Sequence, residues 1–155
     1  MDGEVKITES SAIMRYIVNQ YGEAAYLGGK SDSDKAYADM IFGVVSDIRS
    51  AATGHCYGSG DVNAVKEISN RMEAVAKFLG EKKFIVGDYP TWVDFFVFEQ
   101  IELFNFVTEG EFCEKFPTLA AYHLRVASLP KFDAYYKSDK FMKRPFNNKV
   151  AKINN

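Results

Sequence analysis

Apolar residues recur three and four positions apart along most of the 155-residue chain, the spacing that helices use to bury one face. The first stretch, "DGEVKI", instead joins a tight-turn pair to alternating apolar positions, and it predicts a short strand around Val5 to Ile7. We therefore predict an all-α fold apart from that strand. The predicted helices lie at about 10–21, 33–57, 62–79 and 91–107, with two shorter ones within 115–130 and 131–141.

The helix predicted at about 91–107 is apolar on nearly all sides, which places it in the middle of a helical core. A buried helix start must find partners for its first N–H groups. The Thr91-x-x-Asp94 pattern supplies them, because the Thr91 hydroxyl can accept from the Asp94 N–H while the Asp94 carboxylate accepts from the Thr91 N–H. We therefore assign Thr91 and Asp94 a structural capping role.

Composition narrows the class of protein. The chain is 47% hydrophobic and 15% aromatic, which suits one compact domain with a large core. Its net charge is −2, and no basic stripe suggests nucleic acid as a partner. No segment is apolar for long enough to span a membrane, and no targeting signal is evident at the start. We therefore expect a protein of the cytoplasm or of a large intracellular assembly.

Four residues that often carry chemistry receive structural interpretations. Cys56 and Cys113 have no metal-ligand spacing and no strongly basic surroundings, so we expect reduced, unreactive thiols and no metal cofactor. His55 is adjacent to Cys56, but neighbouring residues on a helix point in different directions. His123 lies among Ala and Leu on a short helix, and it is expected to be structural.

The predicted strand has no partner strand elsewhere in the sequence. A lone strand leaves unpaired backbone groups, and the helix after it would leave Ile13 and Ile17 exposed together with Ile7. The chain therefore looks as if it begins within a domain. We expect another protein to cover residues 1–20 through strand addition or helix packing.

The order of these elements resembles the glutathione S-transferase family. The resemblance rests on "ITESSAIMRYI" after the predicted strand and on "FIVGDYPTWVD", in which aromatic-Ile-x-Gly precedes Thr-x-x-Asp. The segment "KFPTLAAYHLRVASLPKFDAYYKSDKF", followed by "KRP", is most similar to the mu class. The resemblance implies a remnant of the thioredoxin-like glutathione-binding domain at 1–28, the all-helical second domain at 33–145 and an irregular tail at 146–155.

The resemblance also implies candidate site residues. Glu9 and Ser10 match the pair that binds the γ-glutamyl end of glutathione, Asp47 aligns with an aspartate that reaches its ammonium group across a dimer interface, and Tyr57 aligns with a tyrosine of the electrophile pocket. Each has a plainer interpretation: a helix cap for Glu9 and Ser10, an exposed aspartate for Asp47, and an aromatic packed at a helix end for Tyr57. Glutathione would be the substrate, with no other cofactor.

Catalysis in the family depends on a hydroxyl near the start of the thioredoxin-like domain, which steadies the glutathione thiolate. No tyrosine or serine of this sequence matches it. We therefore expect a transferase-like structural or interaction subunit without autonomous catalysis, partnered by a protein over residues 1–20 or by a second copy in a transferase-type dimer. The alternative is a fragment of an active enzyme that conjugates glutathione to electrophiles.

Overall fold

The computed structural model describes residues 3–22 and 26–154, and every regular element of this part is helical. The α-helices are α1 (Ser10–Tyr21), α2 (Asp32–Tyr57), α3 (Val62–Ser69), α4 (Glu73–Leu79), α5 (Trp92–Val107), α6 (Glu111–Lys115), α7 (Pro117–Ala127) and α8 (Pro130–Tyr136). Two 3-10 turns, Asn70–Met72 and Lys152–Asn154, complete the described elements. The predicted all-α class is confirmed.

The strand predicted around Val5 to Ile7 is wrong, because the described residues contain no strand. A strand is stable only when neighbouring strands satisfy its backbone groups, and the helical part of the chain offers none. Before α5, Phe84 and Gly87 form an isolated β-bridge and exchange backbone hydrogen bonds of 2.8 and 3.1 Å.

Helix α5 lies at the centre of the helical bundle, packed against α1, α2, α3, α6 and α7. Its buried side chains occur on almost every side, as its uniformly apolar sequence predicts. The helix predicted at about 62–79 is divided into α3 and α4 by the turn at Asn70–Met72, but its apolar face stays continuous. The buried residues of that face are Val65, Ile68, Met72, Val75 and Leu79.

The start of α5 is held by a buried carboxylate. A reciprocal capping box links Thr91 and Asp94, and Asp94 is 0% exposed. One of its carboxylate oxygens accepts from the Thr91 N–H at 2.6 Å and from the Thr91 hydroxyl at 3.0 Å. The other accepts from the Ile85 N–H at 2.9 Å and the Tyr122 hydroxyl at 2.7 Å. Asp94 therefore fastens the preceding loop and α7 to the helix as well as capping it.

The segment after α8 returns to the helical bundle. The Phe146 ring lies 5.1 Å from that of Phe106, and Ala151 and Ile153 are buried. The Lys152 ammonium donates to the Gly58 carbonyl at 2.5 Å, just beyond the end of α2. These contacts hold the final segment beside α2, where it forms one wall of the groove described below.

Candidate functional site

An open groove brings together two of the residues that the sequence singled out. Ser10, at the start of α1, and Tyr57, at the end of α2, both line it. Its volume is about 510 Å³, and Asn147 of the final segment contributes a third wall. The remaining lining residues belong to α2 and are Ser46, Arg49, Ser50 and Thr53.

The spacing of the α2 residues explains why they share the groove. Ser46 is followed at intervals of three or four residues by Arg49 and Ser50, by Thr53 and by Tyr57, so these residues share one face of the helix. The buried face of the same helix carries small and apolar side chains, namely Ala38, Ile41, Val45, Ile48, Ala52 and Cys56. Helix α2 therefore turns an apolar stripe to the core and a polar stripe to the groove.

The start of α1 has an unusual backbone. Glu9 precedes the helix with φ 68° and ψ 117°, a positive φ that costs a non-glycine residue about 1–3 kcal/mol. Its side chain makes no capping hydrogen bond. Ordinary side-chain capping therefore does not explain Glu9, while helix N–H groups beside Ser10 suit an anionic ligand group.

Asp47 does not line the groove. It is exposed on another face of α2, where Tyr37, Met40 and Val44 precede it at helical spacing. These three side chains are 48%, 46% and 38% exposed. Asp47 thus lies at the end of an exposed apolar strip on α2.

Among the described residues that line the groove, Arg49 carries a charge and no carboxylate is present. One guanidinium nitrogen lies 4.0 Å from a Glu99 oxygen, and the guanidinium carbon lies 5.6 Å from the Phe96 ring centre. The Arg49 side chain is 32% exposed. The groove is consequently lined by hydroxyls, an amide and one cation.

Neither thiol has the surroundings of an activated nucleophile. Burial raises the pKa of the Cys56 thiol, although the nearby Asn147 side chain opposes the shift. Burial also raises the pKa of Cys113, and the Glu102 charge adds to the effect. His55 contacts the Ser59 hydroxyl at 3.3 Å. Among the described residues, no cluster of His, Cys, Asp or Glu is arranged to hold a metal ion.

A polar cluster that the sequence did not indicate lies between α5, α7 and α8. The His123 ring stacks on Phe98 at 4.4 Å, and its Nε2 lies 2.5 Å from a Glu102 oxygen. The Tyr136 hydroxyl donates to the same oxygen at 2.9 Å. Burial alone would raise the pKa of Glu102, but these hydrogen bonds together hold it below the usual value. The cluster ties the last helix to the core.

The sequence and the fold match one family of known proteins. The family model for the glutathione S-transferase C-terminal domain matches residues 46–139. Over its whole length, the chain is 33% identical to Glutathione S-transferase Mu 3 of Macaca fuscata fuscata and covers 68% of it. It is also 32% identical to the class-mu 26 kDa isozyme 51 of Fasciola hepatica, with 97% of this chain and 69% of that protein covered. The chain belongs to the glutathione S-transferase family.

Solved transferase structures agree in fold. The gluthatione S-transferase Blo t 8 superposes on the whole chain with a TM-score of 0.87 at 23% identity, and the match covers 74% of that structure. The pi-class enzyme of Onchocerca volvulus superposes on 97% of the chain with a TM-score of 0.80 at 24% identity. At this identity the agreement concerns the fold alone. The identities of 33% and 32% to the two mu-class enzymes confirm the predicted resemblance to mu-class transferases.

The described helices offer no candidate for crossing a membrane, because none of them is both long and apolar enough. The predicted glutathione roles of Glu9, Ser10, Asp47 and Tyr57 stay predictions. In the transferase fold, the structure brings Ser10 and Tyr57 to one groove and leaves Asp47 on a separate exposed face.

Proposed function

We propose that these 155 residues form a mu-like glutathione S-transferase unit that acts as a structural or interaction subunit, without conjugating glutathione on its own. The observation that carries the proposal is an exposed apolar strip at the start of the chain. Ile13 and Ile17 lie one helical turn apart on α1 and are 39% and 50% exposed, and Val5 is 38% exposed. Paired apolar side chains on a helix surface suit packing against another protein.

Helix α1 presents this strip in a fixed orientation. The Arg15 guanidinium donates to Asp39 on α2 with two nitrogens, at 2.8 and 3.1 Å. Its carbon lies 4.6 Å from the Trp92 ring centre and 5.0 Å from that of Phe42. Val18 is buried beneath the helix. A preoriented helix face loses little conformational entropy on binding, which favours association.

The absence of autonomous catalysis is proposed from the chemistry of the family. A transferase must stabilise glutathione as the thiolate, which is the nucleophile. No hydroxyl of this sequence matches the family residue that does so, and glutathione contacts at Glu9 and Ser10 would not replace it. The partner protein would then cover residues 1–20, in the cytoplasm or in a large intracellular assembly.

Hydrogen exchange with a measurement of mass in solution tests the interaction role. We expect the isolated chain to associate through this strip, and exchange across residues 5–18 to be slowest in the associated form. The variant Ile13→Ser/Ile17→Ser should abolish the association, whereas Leu124→Ser, which changes a 66% exposed side chain on α7, should not. A demonstrated monomer with slow exchange across residues 5–18 would contradict the proposal, because the helical domain would then protect this segment by itself.

A second candidate is a fragment of an active glutathione transferase. It is favoured by the groove that brings Ser10 and Tyr57 together. In that case a thioredoxin-like segment of the same polypeptide would cover the α1 strip. The intact mass of the native protein separates the two candidates: the mass of the 155 residues supports the subunit, and a mass larger by a thioredoxin-like segment supports the enzyme.

A further inference from the structure

Positive charge is concentrated in residues 131–155. This segment contains seven Lys or Arg and two Asp, whereas residues 1–130 contain twelve Lys or Arg and nineteen Asp or Glu. The net charge of −2 is therefore divided into +5 in the segment and −7 in the rest of the chain. A basic segment on an otherwise acidic chain is typical of proteins that meet an anionic surface.

Four of the seven cations are available to a partner. Their ammonium groups are exposed and have neither a hydrogen bond nor an ion pair with any described residue. They are Lys131, Lys140, Lys143 and Lys149. An anionic partner that binds them therefore breaks no contact within the fold.

Two aliphatic side chains are exposed among these cations. Met142 and Val150 are each 74% exposed, more than any other large apolar side chain of the described residues. Met142 is followed directly by Lys143, and Val150 is preceded directly by Lys149. Apolar exposure of this extent costs free energy in water, so it suits a partner that offers an apolar layer beside negative charge.

The Asn154 side chain joins the two loops that carry Met142 and Val150. It accepts from the Phe146 N–H at 2.9 Å and donates to the Asn148 carbonyl at 3.1 Å. Val150 lies in the loop that these bonds close, and Met142 lies four residues before Phe146. The bases of the two loops are therefore held together, so that one partner surface can contact both.

The chemistry of this surface favours a lipid bilayer over a soluble polyanion. A bilayer with anionic headgroups offers negative charge at its surface and hydrocarbon directly beneath, which matches cations beside exposed aliphatic side chains. Single-stranded nucleic acid is bound by aromatic side chains that stack on its bases, whereas Met142 and Val150 are aliphatic. An acidic protein surface would surround the same two side chains with polar groups.

We propose that residues 140–150 form a docking surface for a bilayer that contains anionic lipid. The lysines of this segment contact the headgroups, while Met142 and Val150 enter the outer part of the hydrocarbon layer. Such peripheral binding needs no membrane-spanning helix. The inference goes beyond the proposed interaction role, because it concerns a different surface from the α1 strip and a lipid partner in place of a protein.

Sedimentation with vesicles tests the charge requirement. The purified chain would be mixed with vesicles of phosphatidylcholine alone, or with about one-quarter phosphatidylserine, at two salt concentrations. We expect binding to the mixed vesicles only, weakened by salt because salt screens exposed charges. Lys143→Gln/Lys149→Gln should weaken this binding roughly 10–30-fold. The control Arg71→Gln/Lys83→Gln removes two exposed charges elsewhere and should change it by less than about threefold.

Three outcomes of this experiment would overturn the proposal. They are equal binding to both kinds of vesicle, absence of binding to either, and an equal effect of the two charge variants.

A tryptophan introduced at an exposed site tests insertion into the bilayer. Met142→Trp should give fluorescence that shifts to the blue with mixed vesicles, because the indole leaves water. Leu124→Trp, at a 66% exposed site on α7, should give no shift. Trp92 is only 6% exposed, so its own emission should stay constant. Binding without a shift in the Met142 variant would show contact through charge alone and would contradict the proposal.

Polyglutamate and a short DNA duplex separate the classes of partner. Met142→Ser/Val150→Ser should weaken binding to the mixed vesicles roughly tenfold and leave any binding to polyglutamate or DNA unchanged. Unfolding midpoints should not change, since both substituted side chains are exposed. If this variant binds vesicles as tightly as the unchanged protein, or if polyglutamate or DNA competes equally with the vesicles, the surface is a general polyanion site and the lipid proposal is wrong.

Discussion

Replacing Asp94 with alanine should destabilise the protein more than any ordinary helix cap would. The carboxylate is fully buried and accepts four hydrogen bonds: two from the backbone N–H groups of Ile85 and Thr91, and two from the hydroxyls of Thr91 and Tyr122. The backbone donors cannot turn toward water, so alanine leaves them buried and unpaired.

The magnitude follows from these donors. Each unpaired buried group costs about 1–3 kcal/mol, so the two backbone N–H groups alone account for roughly 2–6 kcal/mol. The loss is partly offset, because burial raises the pKa of Asp94 despite its hydrogen bonds, which means that its charge is costly to bury. We expect a net loss of about 3 kcal/mol, or a melting temperature lower by roughly 6–12 °C for a domain of this size.

Urea denaturation followed by the fluorescence of Trp92, the single tryptophan, measures this loss. A matched control is Asp61→Ala at the start of α3, where the carboxylate accepts one hydrogen bond, from the Ala64 N–H at 3.1 Å. That exposed cap should cost about 1 kcal/mol. If Asp94→Ala costs no more than Asp61→Ala, the reasoning about the buried carboxylate is wrong.

Two further predictions concern α1 and the α8 cluster. Arg15→Lys should speed hydrogen exchange in α1 by roughly 5–30-fold, because lysine can neither donate to Asp39 from two nitrogens nor lie flat against the aromatic rings. The control Lys35→Arg, which changes an exposed ion pair, should leave the exchange rate of α1 unchanged. For Glu102 the folded pKa is lowered from 4.5, so its stabilisation is present above pH 4.5 and lost as the pH falls through the folded value. Glu102→Gln should therefore lower the free energy of unfolding at neutral pH and reduce its loss as the pH falls. Denaturation at a series of pH values measures both effects, and an unchanged profile would refute the stabilising role of Glu102.

Much of the helical fold could be predicted from the sequence, because the long helices bury the apolar faces that the residue spacing indicates. The ends of α1, α2 and α5 fall within a residue or two of their predicted positions. Helix α6 was missed, because five residues are too few to show a helical period. The Ser31–Asp34 capping box of α2 was also missed, since "YLGGKSDSD" reads as a polar linker.

The predicted strand failed for a different reason. The alternating apolar and polar residues at Val5 to Ile7 are compatible with a strand at the edge of a sheet. A strand forms, however, only when a neighbouring strand pairs with it, and the local pattern does not show whether one is present. Local sequence cannot report whether such a neighbour is present.

The candidate site was only partly predictable. Ser10 and Tyr57 were named from the resemblance, but their meeting in one groove depends on how α1 and α2 pack. Asn147 could not be found from sequence, because it reaches the groove through the return of the final segment over Phe106. The His123–Glu102–Tyr136 cluster is likewise assembled from three helices whose sequences do not reveal their crossing.

The central claim, a transferase unit without catalysis of its own, is tested most directly by a conjugation assay. The purified 155-residue chain would be mixed with glutathione and 1-chloro-2,4-dinitrobenzene, beside a full-length mu-class transferase as the positive control. We expect a conjugation rate no higher than the uncatalysed background. Turnover on the order of 1 per second or faster would contradict it.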